Sequence, residues 1–114
     1  MKIIILSIFL LFFIPHSAKS GDVTIANLLE YCTTMDSINQ TACYAFFNGH
    51  LQGITTSEVF SGNMEESFYC LDEGVTMEQL VALFLKMAKQ IPEHHHRSAG
   101  GAIGRMLLEY FPCD

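Results

Sequence analysis

The sequence is poor in positive charge, in long apolar runs and in catalytic signatures. Its 114 residues carry six Lys and Arg against twelve Asp and Glu. Two of the six cations, Lys2 and Lys19, fall in the first twenty residues. Residues 21–114 therefore keep four cations (Lys86, Lys89, Arg97 and Arg105) against all twelve carboxylates, a formal charge of −8. A surface of that sign repels phosphate backbones and anionic membranes. It argues against nucleic acid as a partner and suits a basic protein surface, although acidity also simply keeps a small protein soluble. The longest apolar stretch, Ile3 to Ile14, is broken by Ser7 and falls short of the roughly 20 residues a membrane span needs. No Gly-x-Ser-x-Gly elbow occurs. The carboxylate pairs Glu65-Glu66 and Asp72-Glu73 read as loop neighbours, with no pocket in view to shift their pKa values. No repeat, low-complexity tract or second domain is visible. The expectation is a binder without catalytic residues or cofactor.

What is present starts with a leader. Lys2 gives a minimal basic start, the apolar stretch follows, Pro15 and His16 end it, and Ala18-Lys19-Ser20 puts small residues at the −3 and −1 positions. This is the pattern of a cleavable secretory signal over residues 1–20, with cleavage before Gly21. Residues 21–114 then form one domain. Four cysteines in a short exported chain imply two disulfides, with three possible connectivities. The reading favoured is Cys32–Cys43, closing a helical hairpin, with Cys70–Cys113 tying the last residues to the segment before the third helix. Oxidised cysteines leave no thiolate to act as a nucleophile.

The fold class expected is all-α, a compact bundle of about four helices stapled by the two disulfides. The first helix runs from about Asp22 to Thr33, capped by Asp22 or Thr24, with Val23, Ile25, Leu28, Leu29 and Cys32 at helical spacing. The second runs from about Ile38 to Phe60, with Ala42, Cys43, Phe46, Phe47, Leu51 and Ile54 inward. Gly49 and Gly53 share a face. Glycine costs roughly 1 kcal/mol in a helix interior, so close approach of another helix is expected there, or else a kink at Gly53 beside Thr55-Thr56. The third helix opens on the capping box Thr76-Met77-Glu78-Gln79 and ends at Pro92. Leu80, Val81, Leu83, Phe84, Met87 and Ile91 form its stripe. The fourth spans about Arg97 to Phe111, with Ala99, Ala102, Ile103, Met106, Leu107 and Tyr110 inward and Gly100, Gly101 and Gly104 thinning one side.

Two segments are candidates for recognition. The most loop-like stretch is Ser61-Gly62-Asn63-Met64-Glu65-Glu66-Ser67. Two carboxylates beside the adaptable Met64 suit insertion into a basic-rimmed cleft. Of its flanking aromatics, Phe68 is expected to pack into the core. The second candidate is His94-His95-His96-Arg97, between the third and fourth helices. Three adjacent histidines invite a metal, but a site needs ligands fixed from separate elements and a second shell. His50 is the one other histidine after residue 20. No metal is expected, and the run reads as a polar connector that could titrate between pH 5 and 8.

An ordered set of motifs then points to a family. Ala26-Asn27-Leu28-Leu29-Glu30-Tyr31-Cys32 is followed by Cys43-Tyr44-Ala45-Phe46-Phe47-Asn48-Gly49. Cys70-Leu71-Asp72-Glu73-Gly74-Val75-Thr76-Met77-Glu78-Gln79-Leu80-Val81 comes next, and Ile91-Pro92-Glu93-His94, Ala99 and Phe111-Pro112-Cys113 close the series. With all four cysteines in place, the chain resembles the periplasmic immunity proteins against type VI secretion amidases, the Rap/Tai family. Asp72 departs from the pattern, which tends to have proline there. The resemblance implies a small helical periplasmic protein, often a homodimer, that blocks the active-site groove of a peptidoglycan amidase with a protruding loop. It carries over the four cysteines, but not the loop residue by residue. A second reading is an HdeA-like acid-activated periplasmic chaperone, which would expose apolar surface near pH 2–3 to many clients.

Overall fold

The computed structural model describes residues 21–62 and 67–114; the leader expected at residues 1–20 lies outside them. Among the described residues, four α-helices carry the fold: α1 Ile25–Thr33, α2 Ser37–Ser61, α3 Met77–Gln90 and α4 Ala99–Tyr110. A 3₁₀ turn, Pro92–His94, joins α3 to α4. Both disulfides form as the spacing suggested, Cys32–Cys43 and Cys70–Cys113, with Cα separations of 5.1 and 5.0 Å. Their sequence separations of 11 and 43 residues correspond to roughly 3 and 4 kcal/mol of loop-closure entropy removed from the unfolded chain.

Each helix starts where its chemistry allows. Thr24, not Asp22, caps α1: its Oγ1 accepts from the Asn27 backbone N–H, and the Asn27 side chain accepts from the Thr24 N–H. The reciprocal box at Thr76 and Gln79 forms at α3 as its sequence signature requires. Ser98 caps α4, two residues inside the expected Arg97 start. At Asp72 the chain turns, with the Val75 N–H donating to the Asp72 carbonyl at 3.0 Å.

All four helices feed one core: Ile25 and Leu28 from α1, Cys43 and Phe47 from α2, Leu80, Val81, Phe84 and Ala88 from α3, and Ala99, Ile103, Met106 and Leu107 from α4. Phe47 and Phe84 meet edge to face at its centre, with centroids 5.7 Å apart. The expected stripes supply this core with three exceptions. Ala42 is only half-buried and stands outside it. Ala88 joins it unforeseen, and Tyr110 is 41% exposed because α4 is ending there.

The glycine pair on α2 corrects a second expectation. No side chain approaches Gly49 or Gly53; a Cβ built on either meets nothing within 4 Å. The helix also runs through Gly53 without interruption, and the Thr55 and Thr56 hydroxyls donate to carbonyls one turn back. With 25 residues, α2 is about 37 Å long against about 21 Å for the 14-residue α3. It overhangs the bundle, and most of residues 52–61 are exposed. Tight packing occurs instead at Gly100, where a Cβ would sit 3.4 Å from His50 Nδ1; Gly104 has open space. The His50 ring thus wedges between α2 and α4. Its Nε2 is buried without a hydrogen-bond partner among the described residues, and burial pushes the imidazole pKa below its ordinary 6.5.

Two outcomes follow from this packing. Gly49→Ala and Gly53→Ala should each raise stability by roughly 0.5–1 kcal/mol in urea melts of the monomeric protein, because nothing obstructs the added methyl. For His50 the sign runs towards acid instability. The unfolded chain takes up the proton at about pH 6.5, before the folded one does. The stability contributed by the neutral ring is whole above pH 6.5, falls as pH drops below it, and levels off below the lower folded pKa. The urea midpoint of the protein should therefore fall more between pH 7 and pH 5 than that of His50→Gln.

Candidate partner-binding site

The loop candidate leaves α2 at a residue suited to end a helix. Gly62 adopts φ +74°, the left-handed conformation that closes a helix C-terminus without Cβ strain. Of the seven loop residues, Ser61, Gly62 and Ser67 are described, while Asn63, Met64, Glu65 and Glu66 lie outside the described residues. The returning strand of chain is held from three directions. The Glu58 carboxylate, one turn before the end of α2, accepts from the Phe68 backbone N–H at 3.3 Å and lies 3.1 Å from Ser67 Oγ. The Cys70 N–H donates to the Phe111 carbonyl at 2.8 Å. The Cys70–Cys113 disulfide then fastens the same segment to the end of the chain. Burial and the nearby Glu58 charge both push the Tyr69 phenol pKa upward.

Phe68 does not pack into the core as expected. It is 66% exposed, and Phe60 on the other side of the loop is 87% exposed. Tyr69 and Leu71 make the inward contact instead. Alternation along the extended return segment explains the difference: one face can enter the core, and Tyr69 and Leu71 occupy it. The loop base therefore presents two large aromatic rings to solvent, which is unfavourable for an isolated connector and suited to a contact surface.

The histidine run is placed differently. Its backbone serves α1: the N–H groups of Ile25 and Ala26 donate to the carbonyls of Arg97 and His95 at 2.9 and 3.0 Å. These are the first two orphan donors of the helix, and Thr24 satisfies the third. His95 Nε2 lies 2.8 Å from the Ala88 carbonyl, so that nitrogen carries the proton and donates. His94 lies 3.7 Å from the Glu93 carboxylate. His96 and Arg97 remain exposed. Among the described residues, no group of three or more His, Cys, Asp or Glu side chains is placed to hold a metal ion. His50 faces Gly100 and is not brought to the run.

With this geometry in hand, comparison with known proteins is decisive on one point. A family model describing Rap1a immunity proteins matches residues 24–113. The chain belongs to the Rap1a immunity protein family. The matched span opens on the α1 cap, Thr24, and closes on the last cysteine, Cys113, so it takes in every helix and both disulfides. No curated protein and no solved structure matches the chain. Membership of the Rap1a family supports an immunity role, which implies binding a cognate effector. No helix among the described residues is long and apolar enough to cross a membrane.

Sequence reasoning missed Glu58 as the anchor of the loop base. A contact spanning nine or ten residues has no periodic signature. Replacing it with Ala should remove about 1–2 kcal/mol of stability. Hydrogen exchange at the Phe68 amide should speed up by at least tenfold, while exchange in α3 and α4 slows or speeds only with the global change.

Proposed function

We propose that this Rap1a-family protein is exported through residues 1–20, and that its domain, residues 21–114, neutralises a type VI-delivered peptidoglycan amidase in the periplasm. In this reading the Ser61–Ser67 loop enters the active-site cleft of the amidase, and Phe60 and Phe68 seat against its walls. The observation that carries the proposal is the exposed aromatic pair on a pinned stem in a member of an immunity family. Large aromatics at the centre of a contact dominate binding energy. A charge of −8 on residues 21–114 complements a basic-rimmed cleft and speeds encounter with it. The mode is steric occlusion, and it asks for no chemistry from the immunity protein.

Homodimerisation belongs to the same proposal. The exposed small-residue face of α2, with Gly49 and Gly53 one turn apart, leaves room for a second helix at short range. A second copy would supply that helix and would recover the cost of two interior glycines.

The test is capture from a periplasmic extract of cells producing type VI effectors, with the oxidised protein recovered after expression of the full chain. At pH 7 a single peptidoglycan hydrolase should be retained, and Glu65→Lys/Glu66→Lys should weaken that complex at least about tenfold without lowering the melting temperature. Retention of many unrelated proteins at pH 3 alone would overturn the reading in favour of an acid-activated chaperone. Unchanged affinity in the double variant would move the contact away from the loop.

A further inference from the structure

A second surface feature lies on the bundle itself, where the connection from α3 to α4 meets the start of α1. A cleft of about 480 Å³ opens there. Its floor is apolar: Ile25 from α1, Met87 and Ile91 from α3 and its end, and Ala102 from α4. It stays open because Gly101 and Ala102 put almost no side-chain bulk on that side of α4. Arg97 and Arg105 line the same cleft.

The placement of these arginines is against the trend of the chain. Residues 21–114 hold four Lys and Arg among twelve carboxylates, and half of those cations line one cleft. Neither guanidinium has a carboxylate within 4 Å among the described residues, where the one ion pair found is between His94 and Glu93. Glu109 also lines the cleft, one turn beyond Arg105 on α4, and does not close on it. A guanidinium presents a planar donor fork matched to a carboxylate, and it keeps its charge at any physiological pH. Two such groups beside an apolar floor select a ligand with both features.

We propose that this cleft takes an acidic segment of a partner protein, in which an apolar side chain rests on Ile25, Met87, Ile91 and Ala102 while a neighbouring carboxylate is held by Arg97 and Arg105. The volume falls within the range of small-ligand and peptide side-chain sites and is too small for a folded surface. The Glu109 carboxylate makes the cleft less hospitable to a dianionic phosphate than to a single carboxylate. None of the lining residues belongs to Ser61–Ser67, so the site stands independently of the loop proposal. Its effect on a complex would be orientation. The acidic surface attracts a basic partner from any side, and a local reversal of sign rewards the one pose that places an acidic-apolar segment over it.

The test is a titration of the ¹⁵N-labelled oxidised protein with the blocked tripeptide acetyl-Leu-Glu-Leu-amide at pH 7 and low salt. Amide shifts should cluster at Ile25, Met87, Ile91 and Ala102. The Leu-Gln-Leu analogue should bind about tenfold more weakly, the expected return of one charge-assisted contact. Arg97→Gln/Arg105→Gln should abolish discrimination between the two peptides. Gly101→Leu should block both, and it should leave the fold intact because the nearest atom to a Cβ there, Ser98 Cβ, is 3.9 Å away. Equal binding of the Glu and Gln peptides, shifts scattered away from the cleft, or an equal response to inorganic phosphate alone would each overturn the proposal.

Discussion

The constraint on which the proposed recognition surface depends is the covalent tie between Cys70 and Cys113. The described return segment before α3 has little burial of its own: Phe68 and Cys70 are exposed, and Tyr69 and Leu71 are half-buried. A segment with so few apolar contacts would open at small cost. The disulfide, the Cys70–Phe111 backbone bond and the Glu58 carboxylate replace the missing packing with fixed geometry. The loop can then vary in sequence at its tip while its two ends stay in place.

The other end of the bundle uses carbonyls where this end uses sulfur. The α3–α4 connection wraps over the start of α1 and satisfies its first two N–H groups through Arg97 and His95. An α-helix of nine residues is marginal alone, and most of its stability comes from context. Here the context includes a full set of N-terminal partners. The cleft is a by-product of the same arrangement. The chain crosses from α3 to α4 against α1, and the small residues early in α4 leave the crossing unfilled. Arg97 thereby gains two roles, with its carbonyl holding α1 and its side chain bordering the cleft.

Helices, the capping box of α3 and the disulfide pairing were legible because each is encoded within a few residues, or by the oxidising context that four cysteines imply. Thr76 and Gln79 state the start of α3 outright, and the 3.6-residue stripe names Ile103, Met106 and Leu107 as core. What escaped the sequence was whatever depends on which neighbour arrives. Gly49 and Gly53 signal close packing in any helix, but whether another helix comes is decided by how far α2 overhangs. Phe68 beside Tyr69 and Leu71 offers two registers for the return to the core, and apolar character alone cannot choose between them. The histidine run drew attention by composition, while its structural contribution is mostly made by backbone carbonyls that any residue could supply. Arg105 drew none, because its meaning comes from Arg97 and Ile25 across the fold.

Charge and shape act here at different ranges. A net −8 over residues 21–114 sets a field that reaches roughly a Debye length, about 8 Å at physiological salt, and it attracts any basic surface. That field cannot distinguish a cognate cleft from another basic protein. Discrimination must come from contacts that are lost when the pose is wrong. In the proposed complex the aromatic pair at the loop base and the arginine-lined cleft would both act in this way, since the rings gain only where a shaped surface covers them and the guanidiniums have a desolvation cost that only a matching carboxylate offsets. A protein that relied on acidity alone would bind quickly and promiscuously. One that relied on the aromatics alone would expose apolar surface without a field to guide its partner. In the proposed complex the two act together, with twelve carboxylates setting the field and Phe60, Phe68, Arg97 and Arg105 supplying the contacts that depend on pose.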